Sequence, residues 1–240
     1  MIFRQFFDSL SSTFTYLLAS GHGREALIID PVKEQTPQYL LAIGQLGLRL
    51  VQAIDTHTHA DHITALGDLR DATGCVTIMG QHTKAACISR HVTDGEVLTV
   101  DSLRLRALYT PGHTNESFSF VLNPQQPEAV FTGDALLIRG TGRTDFQGGD
   151  SAASWSSIVD TLFRLPDETT VYPGHDYKGW TSSSIGEEKR FNPRIAGKTK
   201  ANYLVIMRNL NLPSPKMMDV AVPSNLACGQ ARVSALSDPF

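Results

Sequence analysis

Asp55-Thr56-His57-Thr58-His59-Ala60-Asp61-His62 decides how the rest of this chain is read. Three imidazoles and two carboxylates fall within eight residues. They come directly after Leu50-Val51-Gln52-Ala53-Ile54, a short apolar run that reads as a buried strand. In extended backbone successive side chains alternate, so His57 and His59 point to the same side. Asp61 and His62 then turn into the start of a helix, where a carboxylate is electrostatically favoured. That helix is expected to run to Ala72, with Gly74 as its stop.

Other residues share this position in the pattern. His113 and His175 each follow an expected strand, in Thr110-Pro111-Gly112-His113 and Tyr172-Pro173-Gly174-His175, and Asp134 does so in Phe131-Thr132-Gly133-Asp134. Strand ends on one edge of a sheet converge, so His57, His59, His62, His113 and His175 line one cleft with Asp61 and Asp134. A lone histidine at such a place is more often a hydrogen-bonded structural residue. Five with two aspartates reverse that reading. Imidazole and carboxylate without thiolate suit a catalytic first-row metal better than a structural zinc. His22, His82 and His91 read as ordinary surface or loop residues.

Outward from this cleft, strands are expected at 14–18 and 26–29, joined through Gly21-His22-Gly23, and at 75–79, 103–107, 118–122, 129–131 and 171–172. Helices are expected from Pro37, from Thr83 to Ser89, from Ser151 to Leu165 and from Lys198 to Asn209. In the third of these, Trp155, Ile158, Val159, Leu162 and Phe163 make one apolar stripe. Runs of strands with single helices between them favour two sheets with helices outside.

The chain has 240 residues, 41% hydrophobic and 19% charged, with a formal net charge of −3. This composition excludes a disordered chain, and a length of 240 needs no metal merely to fold. Mild acidity argues against nucleic acid as a partner. Cys75, Cys87 and Cys228 form no CxxC pair, so they read as reduced, buried thiols of a cytosol-like compartment. The N-terminus lacks a signal-peptide pattern, and apolar runs fall short of the ~18 residues a membrane span needs. A soluble, cytoplasmic protein without membrane association is expected.

Thr56-His57-Thr58-His59-Ala60-Asp61-His62 resembles the T-H-x-H-x-D-H signature of the metallo-β-lactamase fold, and the segments ending in His113, Asp134 and His175 resemble its later metal motifs in order. The resemblance implies an α/β protein, an αββα sandwich with its metal cleft at the sheet edges. Residues 1–180 are expected to form the catalytic core, and 181–240 a helical and irregular extension packed on it. The run from Asp134 to Gly149, then His175-Asp176-Tyr177-Lys178-Gly179, Asn192-Pro193-Arg194, Asn209–Pro213 and Ala221–Gly229 are similar to persulfide dioxygenases.

That resemblance implies one ferrous iron, Fe(2+), per chain, held by His57, His113 and Asp134. It also implies oxidation of glutathione persulfide by O2 to sulfite and glutathione, in a homodimer. A 2-His-1-carboxylate face leaves positions open for a sulfur ligand and oxygen together. Asp61 is the expected carboxylate partner of a ligating imidazole. His59, His62 and His175 are candidates for orienting water or oxygen. Arg143, Tyr177 and, in a segment covering the pocket, Cys228 are candidates for touching substrate. The rival readings are a glyoxalase II-like thioester hydrolase with two metals, and a non-catalytic metal-binding protein on the same fold. Gly140-Thr141-Gly142 is too short a glycine pattern to indicate a nucleotide.

Overall fold

Strand β2 (Thr13–Ala19) shows how the layers arise, because it is buried along its whole length. Its side chains alternate between two apolar layers. Tyr16 and Leu18 join one cluster with Ile29, Ile54, Leu105, Phe118, Phe120 and Phe131, while Leu17 joins another with Ile28, Tyr39, Ile43, Leu66 and Leu69. A strand apolar on both faces must be covered on both, and the fold supplies a second sheet on one side and helices on the other.

The structure is a computed structural model that describes residues 1–213 and 217–230. The last ten residues of the expected 181–240 extension lie outside the described residues. The first sheet has the spatial order β1 (Ile2–Asp8), β2, β3 (Glu25–Ile29), β4 (Arg49–Ile54), β5 (Val76–Gly80) and β6 (Arg90–Val92). The second runs β12 (Ser183–Ser184), β11 (Thr170–Pro173), β10 (Ala129–Gly133), β9 (Phe118–Leu122), β8 (Leu103–Tyr109) and β7 (Val97–Val100). β1, β2 and β3 are antiparallel neighbours, whereas β3 to β6 are parallel. Parallel neighbours need crossovers, which α1 (Thr36–Gln45) provides from β3 to β4 and α2 (Leu66–Thr73) from β4 to β5, while a non-helical stretch joins β5 to β6. In the second sheet β10 and β11 are parallel, with α3 (Ser151–Ser156) between them. α4 (Ile185–Phe191), α5 (Lys200–Arg208) and α6 (Met218–Asn225) follow.

Ile158, Leu162, Ile185, Ile195, Tyr203 and Met207 pack with Val121 and Val130 as a third apolar cluster. The αββα sandwich is therefore observed, with the expected stripe of the 151–165 segment facing the core. That segment is not uniformly α-helical. Asp150 caps its start by accepting from the backbone of Ala152 and Ala153, but Ser157–Thr161 widens into a π turn and Leu162–Arg164 tightens into a 3-10 turn.

Two other expectations need correction. Residues 83–89 form no helix; the Thr83 hydroxyl accepts from Ala85 N, a local turn that competes with helical bonding. And Cys87 is not a free thiol: it forms a disulfide with Cys228, with Cα atoms 6.0 Å apart, leaving only Cys75 reduced. No helix among the described residues is long and apolar enough to cross a membrane.

Candidate metal centre

β4, β8, β10 and β11 all deliver their next residues to one edge of the sandwich, and His57, His113, Asp134 and His175 arrive there together. Ligand atoms of His57, His113 and Asp134 lie within 4.8 Å of one another. Their supports fix which atoms are offered. The Thr56 hydroxyl donates to Asp30 Oδ2 at 3.0 Å, so at 2.9 Å it accepts from His57 Nδ1–H. The backbone carbonyl of Arg143 accepts from His113 Nδ1–H at 2.8 Å. Both imidazoles are therefore held in the tautomer whose Nε2 carries the lone pair. His113 Nε2 lies 3.6 Å from Asp134 Oδ2, and the other oxygen of Asp134 takes a 2.6 Å bond from His175 Nδ1. Burial, reinforced by the neighbouring imidazoles of His59 and His113, holds His57 well below the usual histidine range, so it is neutral. Neutral imidazole is the form that ligates a metal.

The loop that crosses this cluster must be glycine at one point. A Cβ on Gly142 would lie 2.2 Å from the Asp134 carbonyl and 2.9 Å from the His113 ring. The glycine pattern at 140–142 thus serves close packing over Asp134 and His113.

His59, Asp61 and His62 form a second group of potential ligands, also within 4.8 Å of one another. His59 Nδ1 and His62 Nε2 are buried without a hydrogen-bond partner. Their remaining atoms are engaged: Asp61 Oδ2 accepts from His62 Nδ1 at 3.0 Å and from His175 Nε2 at 2.8 Å. Burial opposes charge on His175, but Asp134 and Asp61 outweigh it and raise His175 well above its usual range. Burial likewise opposes charge on His59, yet Asp30 at 3.3 Å, with Asp55, raises it to about 9. Beneath the loop, burial and the charge of Asp30 push Asp55 up to about 7.

Of the expected substrate contacts, Tyr177 stands at the mouth, 69% exposed, its ring parallel to that of His175 at 6.0 Å between centroids. Arg143 is already engaged. Its guanidinium donates twice to Asp145, at 2.7 and 2.8 Å, and to the Pro213 carbonyl at 2.6 Å, and it sits 4.4 Å from the Phe146 ring centroid. A cavity of about 350 Å³ beside it is lined by Thr144, Asp145, Ser151, Leu204, Met207, Arg208 and Leu210. Cys228 is a correction: it is fully buried, disulfide-bonded and packed in the cluster of Leu66 and Leu69, so it offers no sulfur to a substrate.

Sequence reasoning missed several supports. Asp30 bonds Thr56 through backbone and side chain as well as His59, Glu116 accepts from Thr58 N at 2.8 Å, and Thr13 lies 3.0 Å from His175 Nε2. Asp30 also sits at a strand exit, after Ile28-Ile29, and the rule that found the histidines would have found it.

A family model of the metallo-β-lactamase superfamily matches residues 9–175. The chain is 44% identical to the mitochondrial persulfide dioxygenase ETHE1 of Homo sapiens, over 95% of this chain and 89% of the human protein. It superimposes on the crystal structure of ETHE1 from Myxococcus xanthus with a TM-score of 0.92 and 52% identity, covering 96% of this chain and all of that one. Similarity to the hydroxyacylglutathione hydrolase of a Polaromonas species is partial: 38% identity over 68% of this chain and 62% of that enzyme. With these likenesses over nearly its whole length, the chain belongs to the metallo-β-lactamase superfamily and, within it, to the persulfide dioxygenases.

Proposed function

We infer that this protein is a glutathione persulfide dioxygenase working at a single ferrous iron held by His57, His113 and Asp134. The observation that carries this reading is the convergence of those three side chains within 4.8 Å, with both imidazole Nδ1 atoms already committed to other acceptors. Two neutral imidazoles and one carboxylate fit a first-row divalent ion with open coordination positions. A ferrous ion bound there supplies the redox chemistry that joins dioxygen to the persulfide sulfur. The balance is glutathione persulfide plus O2 plus water giving glutathione plus sulfurous acid, which ionises to sulfite.

The protein's own groups bind and orient. Asp134 contributes a negative charge, and burial of that carboxylate is offset by His175 and His113, which hold it below the usual carboxylate range. His175, bridging Asp134 and Asp61, keeps both carboxylates fixed and is placed to hold a proton between them. Tyr177 covers the open side, and its hydroxyl is available to a substrate because the ring is exposed. Arg143 fixes Asp145 and the 212–213 backbone beside the cavity, which has room for part of a glutathionyl group. On this reading Arg143 acts on substrate through the wall it holds. The reading also takes residues 1–180 as the catalytic core with 181–240 packed on it, a homodimer, no nucleic-acid or membrane partner, and a cytoplasmic location.

A second reading has one observation in its favour. The buried, unpartnered His59 Nδ1 and His62 Nε2, with Asp61, offer donors to a second ion, as a binuclear thioester hydrolase requires. Metal analysis with an oxygen electrode separates the two. About one iron per chain, with oxygen uptake and sulfite formed from glutathione persulfide, is the expected result. Two zinc ions, hydrolysis of a glutathione thioester and no oxygen uptake would overturn it.

A further inference from the structure

Asn225 closes α6 far from the metal residues in sequence, yet it is buried against them. Its side-chain NH2 donates to the carbonyls of His59 and His62, each at 2.9 Å, and its Oδ1 accepts from Thr64 N at 2.9 Å. One amide thus satisfies three backbone groups of the turn that carries His57, His59, Asp61 and His62. Three residues later Cys228 is bound to Cys87. The Cys228 carbonyl also accepts from Gly67 N at 3.0 Å, an approach so close that a Cβ on Gly67 would lie 2.6 Å from that oxygen. Arg70 of α2 donates to the Cys87 carbonyl at 3.4 Å and to Gln230 at 3.2 Å. The disulfide therefore staples the short 225–230 segment to the flank of the metal loop.

We propose that Asn225 is a positioning residue for the metal-bearing loop and that the Cys87–Cys228 disulfide is its redox latch, opened by low-molecular-weight thiols of the kind the reaction releases. A thiolate attacks Sγ of Cys87, the half-buried member, because Cys228 is fully enclosed. A bond forms from the attacking sulfur to Cys87, the Cys87–Cys228 bond breaks, and the electron pair leaves on Cys228, which takes a proton. A second thiol attacks the mixed disulfide and frees Cys87. Two thiols are oxidised to one disulfide while the protein is reduced to its dithiol. Without the cross-link the 225–230 segment is held only by its hydrogen bonds and the packing of Leu226 and Cys228 on the cluster of Leu66 and Leu69, and the grip of Asn225 on the loop weakens. In a reducing compartment such a bond is transient and responsive rather than a permanent brace.

The inference rests on residues 57–62 being metal-bearing, and the test is arranged so that the two can fail separately. Holoenzyme equilibrated with oxidised glutathione is compared with enzyme reduced by a phosphine, with Cys87→Ser and with Asn225→Ala. Thiols are counted by mass after alkylation, and iron loss is followed with a ferrous chelator. Backbone hydrogen exchange across residues 57–64 is measured in the metal-free proteins. One free thiol is expected in the oxidised form and three after reduction. Reduced enzyme and Cys87→Ser should lose iron about tenfold faster, the size seen when supports of metal ligands are removed. Both should also exchange faster across the loop, and Cys87→Ser should be indifferent to phosphine. Asn225→Ala should match or exceed them; if it does not fold, Asn225→Asp, which keeps the acceptor and loses both donors, replaces it. Three free thiols in the oxidised sample, or equal iron loss and equal exchange in oxidised, reduced and Cys87→Ser proteins, overturn the latch. A wrong metal assignment would show instead as zinc in the holoenzyme, leaving the exchange comparison intact.

Discussion

The two groups of potential ligands at the sheet edge share residue types but not electrostatic condition. In the His57, His113 and Asp134 group, each imidazole gives its Nδ1 proton to a neutral oxygen, the Thr56 hydroxyl or the Arg143 carbonyl. Their Nε2 atoms have no partner stronger than a carboxylate at 3.6 Å. In the His59, Asp61 and His62 group, Asp61 Oδ2 is taken up by His62 Nδ1 and by His175 Nε2, and His59 Nε2 faces Asp30, while His59 Nδ1 and His62 Nε2 are buried without a partner. The first group keeps Asp134 Oδ2 for a cation, its Oδ1 being taken by His175. In the second, the charge of Asp61 already meets the raised imidazoles of His175 and His59, so a second cation competes with their protons. One fold edge thereby offers two donor groups in different electrostatic condition, and on the proposed function the first of them is the iron site.

The largest effect on that contrast is expected from Asp134→Ala. It removes the only carboxylate of the first group and one of the two carboxylate partners of His175. Iron should fall to below about 0.1 per chain, with oxygen uptake at background, since affinity at such a site is a matter of ligand number and charge. Iron-dependent turnover in this variant would refute the ligand assignment. Next come Asp30→Ala and Thr56→Val, which leave every ligand in place but release the His57 tautomer. Loss of such a support weakens metal binding by roughly 10–100-fold. Iron titration of the metal-free variants checks it, and unchanged affinity would show that the Thr56 hydroxyl does not set the tautomer.

Much of this is legible in the sequence, and the reasons differ by residue. His57, His113, Asp134 and His175 were visible because each follows an apolar run, and strand ends on one edge must meet. The αββα layering was visible in the alternation of strand runs with single helices. β1 was not, because Phe3, Phe6 and Phe7 in it have no period-two burial; the strand is buried only at its ends and pairs with β2 along its length. The Cys87–Cys228 bond joins residues 141 apart, and neither local sequence nor an odd cysteine count points to it. Asn225 was equally hidden: its three partners are backbone groups, which carry no sequence signature.

A smaller effect separates the groups by pH. His59 is raised from its usual value of 6.5 to about 9 in the folded, metal-free protein, burial being outweighed by Asp30 and Asp55. A folded-state pKa above the unfolded one contributes stability fully below the unfolded value, and that stability is lost as pH rises through the folded value. Metal-free protein should therefore lose stability toward denaturant between pH 6.5 and about 9, by a few kcal/mol at about 1.4 kcal/mol per unit. His59→Asn should flatten that part of the profile. An unchanged slope in the variant would place the pH dependence elsewhere, with His175 the next group to replace.

The smallest effect is expected at the Arg143 side chain. Among the described residues its guanidinium hydrogen-bonds Asp145 and the 212 and 213 carbonyls, whereas its backbone carbonyl bonds His113, and a substitution keeps that carbonyl. What Arg143→Ala removes is the paired bond to Asp145 and the bonds to the 212 and 213 carbonyls. Hydrogen bonds to a charged group are worth about 1.5–3 kcal/mol each, but here they shape a cavity wall and leave the reacting atoms alone. KM for glutathione persulfide should rise roughly tenfold with kcat within about twofold, the pattern of lost ground-state binding. Iron content should be unchanged. Arg143→Lys should recover little of the loss, because an ammonium cannot make the forked contact to Asp145 that the guanidinium makes. An equal fall in kcat and in iron would mean that the His113 support moves with the Arg143 side chain, coupling the cavity wall to the metal.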